Sequence, residues 1–237
     1  MRKLLLVLTG ISLFLSGQCQ EKDTANMIRY TPDFKFLDGI FLNFEQVRNN
    51  EPLLKSRILT TIDYNDEGFF ERLLRENKVS FYDELGTKQD VPVSKIWGYA
   101  RNGILYIKVG TEFNRITFIG RICHFIGNVS NYSSRYNDPY MNNYYNPYAY
   151  NSYIYGTPYN QVETKEMQQF LLDFATGKVM EFDVKSMEAL LVTDPQLYDE
   201  FSALSGRKQK QLKFLYLRKF NEKHPLYFPD HSKTIIK

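Results

Sequence analysis

Cysteine is almost missing from this chain: of its two, only Cys123 lies beyond the first nineteen residues. Once those nineteen are removed a disulfide framework is excluded, and stability has to come from packing. Histidine is scarce as well, with His124, His224 and His231. No two of these stand at helical ligand spacing and no His-Glu-x-x-His occurs, so no metal site is supported. Gly-x-Ser-x-Gly is missing too. Thr176-Gly177-Lys178 fails as a phosphate loop, because Leu172 stands where glycine is required and the turn leads into a strand. The residues therefore give no catalytic motif and no cofactor. Strong charge of one sign is lacking, with 30 Lys and Arg against 27 Asp and Glu, which argues against a nucleic-acid binder.

Long apolar runs are confined to the start. Met1-Arg2-Lys3 precedes the apolar stretch Leu4 to Leu15, and then come Ser16-Gly17-Gln18-Cys19. A basic head, a short apolar stretch and small residues make a secretory signal. The stretch falls short of the about 20 residues that a membrane span needs. Cleavage after Cys19 or after Gly17 fits, and removal of Arg2 and Lys3 lowers the net charge from +3 to +1. Gln18 stands where a lipoprotein signal needs a small residue, which argues against a lipid anchor on Cys19. The expectation is a soluble exported protein of the periplasm or outer envelope of a Gram-negative bacterium.

Residues 20–34 are polar and read as loose. Asp38-Gly39 is a turn, Ile40 to Leu42 a short apolar run, and Asn43 the cap of a helix over 44–50. Ile58 to Tyr64 reads as a strand. A helix follows over 67–77, with Phe70, Leu73 and Leu74 on one face. The carboxylates Asp63, Asp66, Glu67 and Glu71 cluster here, and they cap and solvate that helix. Val79 and Phe81 mark a strand turned at 84–87. Asn102-Gly103 between apolar runs is the strongest hairpin signal, because both residues tolerate positive φ. Residues 113–126 read as one long strand bent at Gly120. Within it Cys123 and His124 are expected on opposite faces, with Cys123 buried.

The composition changes at residues 128–160, where ten tyrosines stand among Asn, Ser and Pro. With almost no aliphatic residues this segment buries no core of its own. Strand patterns flank it, at 122–126 and 167–174, so it reads as a long loop inserted in one sheet. Ala175 to Lys178 makes a second hairpin turn into 179–184. Helices are expected over 185–191, from Asp194-Pro195 onward, and from Arg207 to about Glu222, with the break at Ser205-Gly206.

Two surfaces carry the functional expectation. Tyrosine offers an apolar face and a hydroxyl at little rotamer cost. The candidate contacts in the loop are Tyr140, Tyr144, Tyr145, Tyr148 and Tyr153, against which stands a plain low-complexity spacer. The second surface is basic: residues 205–237 hold nine Lys and Arg against Glu222 and Asp230. On the last helix Leu212, Tyr216 and Phe220 share one side, while Arg207, Lys210, Phe214 and Arg218 share the other. A basic face carrying an aromatic suits an envelope protein, a glycan or an anionic membrane surface. A core-packed helix with a solvated outer face is the competing reading.

Four strings, DGIFLNFEQVRNNEP from Asp38, KIWGY from Lys95, DPQLYDEF from Asp194 and LRKFNEKHP from Leu217, resemble a family of exported proteins of Bacteroidota-type bacteria. That family carries no assigned activity, so the resemblance implies export and no functional residue. Asp23-Thr24-Ala25 is similar to the short O-glycosylation acceptor of that group. The fold expected is α+β, a mainly antiparallel sheet of hairpins, open or curled into a small barrel, packed with short helices and a C-terminal helical pair. One domain spans 35–127 and 161–224, followed by a tail over 225–237. The function expected is a non-catalytic binding or structural module of the envelope, with a hydrolase of an envelope polymer as the alternative.

Overall fold

The computed structural model describes residues 27–134 and 161–230, with side chains over 27–129 and 166–230. In chain order the elements are β1 (Met27–Arg29), β2 (Gly39–Phe41), α1 (Phe44–Asn49), β3 (Ile58–Leu59), α2 (Phe69–Leu73), β4 (Lys78–Tyr82), β5 (Lys88–Pro92), β6 (Gly98–Arg101), β7 (Ile104–Val109), β8 (Glu112–Phe118) and β9 (Ile122–Ser134). After the undescribed segment come β10 (Gln161–Asp173), β11 (Lys178–Glu181), α3 (Val184–Leu191), α4 (Pro195–Ser202), α5 (Gly206–Lys223) and β12 (Tyr227–Pro229). The fold is α+β. Seven antiparallel strands, in the order β11-β10-β9-β8-β7-β6-β2, curl into a half-barrel that does not close.

Local chemistry accounts for the turns. Asn102 and Gly103 both have positive φ, 52° and 75°, which matches the twist of a two-residue hairpin between β6 and β7. The Asp38 carboxylate accepts from both of their backbone N–H groups, each at 3.0 Å. Gly98 is required for a different reason: a Cβ there would run into the backbone carbonyl of Tyr106. Asn43 caps α1, Asp183 caps α3 and Asp194 caps α4, each accepting from a backbone N–H three residues on.

The inner face of the half-barrel holds one core. Phe41, Leu105, Ile107, Ile116, Cys123, Phe125, Phe170 and Leu172 fill it together with Phe36, Phe174 and Phe228. The outer face is covered in two places. At one end the sheet β3-β4-β5 and α2 pack Phe69, Phe70, Leu73, Val79 and Phe81 against Ile40, Tyr99, Tyr106 and Phe113. At the other, α3, α4 and α5 pack Leu191, Phe201, Leu217 and Phe220 against Ile122, Leu171 and Phe182. No described helix is long and apolar enough to cross a membrane.

Four expectations are corrected. The strand read over 58–64 stops at Leu59, because the side chains of Thr60, Asp63 and Asp66 accept from backbone N–H groups two residues on and offer turns in place of a ladder. The helix read over 67–77 shrinks to Phe69–Leu73. The single bent strand over 113–126 is two antiparallel strands, β8 and β9, reversed around Gly120, with Phe118 opposite His124. The described parts of the segment read as loose, 20–34, and of the C-terminal tail, 225–237, also meet. Strand β1 pairs with β12, and Tyr30 and Phe34 pack on Phe228 beside the inner core.

Candidate functional site

Register and alternation define the strip of sheet that neither cover reaches. On β9, Cys123, Phe125 and Gly127 are buried while His124, Ile126 and Asn128 face outward. Ile126 pairs with Gln169 and Asn128 with Met167, so the outward row continues across β10. On β8, Arg115 is exposed, and the pairing of Ile116 with Phe125 sets it beside Ile126. Ile126 is 50% exposed and Met167 82%. Their neighbours are largely satisfied: Asn128 donates to Glu112 at 3.0 Å, and His124 shares a hydrogen bond with Gln169 at 3.1 Å. The result is a shallow apolar centre with a polar rim.

One edge of the strip is aromatic and basic. His124 sits edge-to-face against Phe182 and Phe214, at 5.0 and 5.4 Å between ring centres. Burial pushes the His124 pKa below the ordinary imidazole value, against a smaller upward pull from Gln169. Lys213 lies 4.1 Å from the Phe182 ring centre and donates to the Phe182 carbonyl. Arg218 lies 5.3 Å from the ring centre of Phe214.

The basic residues expected on the last helix are thus placed in part. Arg207, Lys210 and Arg218 are exposed on α5. Phe214 is not the free aromatic of that face. It is half-buried, in ring contact with Phe118 as well as with His124 and Phe182. The apolar side chain that α5 does expose is Leu215, at 46%. Tyr140, Tyr144, Tyr145, Tyr148 and Tyr153 lie outside the described residues. Strand β9 reaches Ser134, which pairs with Gln161 of β10, so β9 runs well into the stretch read as loop.

Two clusters invite a catalytic reading and have structural work instead. His224 Nε2 lies 2.7 Å from Asp194 Oδ2, while Asp194 Oδ1 accepts from Lys223 Nζ at 2.9 Å and caps Leu197 N at 3.2 Å. No nucleophile joins that pair in these contacts. It ties the end of α5 to the start of α4. Glu71 is bound by Arg101 and by the Tyr99 hydroxyl, with burial first and Glu71 second in raising the Tyr99 pKa. Cys123 is on the inner face, its thiol pushed up to about 12 by burial. Among the described residues no group of three or more His, Cys, Asp or Glu could hold a metal ion.

Ile126 and Met167 were not singled out from the sequence, although one signal existed. Ile126 is apolar at the outward phase of a strand whose opposite phase, Cys123 and Phe125, is already the core. Compared with known proteins, the chain matches no family model, no curated protein and no solved structure.

Proposed function

We propose that this chain is an exported, non-catalytic binding module of a bacterial envelope, and that the outer strip of β8, β9 and β10 docks an envelope protein. The observation that carries the reading is the pair of exposed apolar side chains, Ile126 and Met167, bordered by polar groups of which His124, Gln169 and Asn128 are hydrogen-bonded. An apolar centre with a satisfied polar rim is the anatomy of a protein interface. Large apolar side chains exposed near each other on a packed sheet are the kind of feature that interaction surfaces use. Placement in the envelope rests on the basic and apolar N-terminus of the sequence.

The test is to incubate the mature chain with isolated outer-membrane, inner-membrane and peptidoglycan fractions. Bound protein is then measured for wild type, Ile126→Asp and Met167→Asp. Because both side chains are exposed, each variant keeps its stability within about 0.5 kcal/mol. Binding to a protein-containing fraction falls by about tenfold or more, a loss of about 1.4 kcal/mol. Binding that survives both substitutions overturns the strip as the docking surface. Retention on protease-treated peptidoglycan alone overturns the protein partner in favour of a glycan.

A further inference from the structure

An open cavity of about 430 Å³ lies at the opposite side of the Gly120 reversal, walled by Arg48, Arg121, Phe174, Pro225, Leu226 and Tyr227 among others. Five separate segments build it: β1, the last turn of α1, the reversal between β8 and β9, the end of β10 and the stretch through β12. We propose that it binds a small amphipathic oxyanion, a carboxylate or phosphate head held by Arg48 and Arg121 with an apolar body laid against Phe174, Leu226 and the Tyr227 ring.

The charge argument comes first. Among the described residues no carboxylate lines the cavity. The Arg121 guanidinium meets no acceptor among the described residues, and Arg48 spends one nitrogen on Glu45 at 2.9 Å. Each guanidinium carries five donors in a planar fork matched to an oxyanion. Both guanidinium-bearing residues line the same cavity.

Rigidity comes second. The Arg121 carbonyl accepts from Phe174 N at 2.9 Å. The next residue, Ile122, is held at both its N–H and its carbonyl by the Asn221 amide, each at 2.8 Å. The Arg121 backbone is therefore fixed before any ligand arrives, which lowers the cost of binding. The size falls in the roughly 300–1,000 Å³ range of small-molecule sites. The remaining wall, two prolines, a buried phenylalanine and a leucine among its members, asks for an apolar body rather than a bare ion.

The test is calorimetry on the mature chain with N-acetylphenylalanine, its uncharged amide, decanoate and phenyl phosphate. At least one oxyanion saturates the protein in a salt-sensitive way, and the amide binds about tenfold more weakly than the acid. Arg121→Gln and, separately, Arg48→Gln weaken the oxyanion by about tenfold, or about 1.4 kcal/mol each, with melting temperatures unchanged. Ile126→Asp leaves this affinity as it was, which separates the cavity from the docking strip. The relative affinities of the acyl, aryl and phosphate probes identify the head and body. Equal binding of acid and amide, unchanged affinity in both arginine variants, or no oxyanion binding at millimolar concentration overturns the proposal.

Discussion

Asp194 carries three tasks on one carboxylate. It caps α4, receives Lys223 and faces His224, and it is 4% exposed. The hydrogen bond from Lys223, ahead of that from His224, holds its pKa down at about 2 against an ordinary 3.8. A carboxyl depressed on folding stabilises above its unfolded pKa and loses that contribution as pH falls through the folded value. Stability therefore drops between pH about 4 and about 2. Asp194→Asn keeps an oxygen for the cap and removes the charge. Acid titrations followed by circular dichroism are expected to show a shallower loss over that window in the variant, together with a lower melting temperature at neutral pH. A variant as acid-sensitive as wild type would mean that another group sets the transition. Asp194-Pro195 was legible as a helix start in the sequence. The closure on Lys223 and His224 was not, because it joins residues from the two ends of different helices.

At the scale of elements, the least expected device is Asn221 on α5. Its amide copies a strand edge, giving an oxygen to Ile122 N and a nitrogen to Ile122 O. It also explains Gly120, since a Cβ there would meet the same amide at 2.5 to 2.9 Å. Asn221→Ala leaves both backbone groups of a buried residue without partners. A cost of about 1–3 kcal/mol follows for such unsatisfied groups, read as a shift in the urea midpoint with an unchanged slope. Asn221→Asp retains the acceptor and loses the donor, so it recovers no more than part of that stability. A midpoint equal to wild type in Asn221→Ala would remove the staple from the account. This link also shows why the reversal at Gly120 was misread as a bend. Residues 113–126 alternate smoothly on either side of the glycine, and the partner that enforces the turn lies some hundred positions away on a helix. The Asn102-Gly103 hairpin, by contrast, was readable because its cause, positive φ at two adjacent residues, is local.

At the scale of the molecule, the pairing of β1 with β12 brings the two ends of the described chain together over the inner core. Phe228 is fully buried, with Phe34 stacked on it at 4.4 Å and Phe36 and Phe174 edge-on at 5.3 Å. Phe228→Ala therefore acts as a core truncation and costs about 3–5 kcal/mol. Ile28→Ala, at an exposed position on the facing strand, stays within about 0.5 kcal/mol. Thermal unfolding of the two variants distinguishes a closing strand from an appended tail. If Phe228→Ala melts with wild type, the ends are accessory. The docking strip and the cavity both follow from this closed arrangement. The strip is the part of the outer face that the helices and the small sheet leave bare, and the cavity is the space that the closing strand roofs against α1.

The sequence by itself determined the α+β class, the hairpin turns at 84–87, 102–103 and 175–178, the caps of α1 and α4 and the break before α5. It also determined the burial of Cys123 opposite an outward His124. Each of these rests on a propensity or a period that acts within a few residues. Only the tertiary structure decided that β1 joins β12, that residues 113–126 reverse and that Phe214 packs inward against His124 and Phe182. It alone set Ile126 and Met167 on neighbouring strands of a bare face, and brought Arg48 and Arg121 to one cavity. The physical reason is common to all of them. A side chain's partner across a sheet or a helix interface is chosen by register and packing over long separations, and no local pattern in the residues encodes that choice.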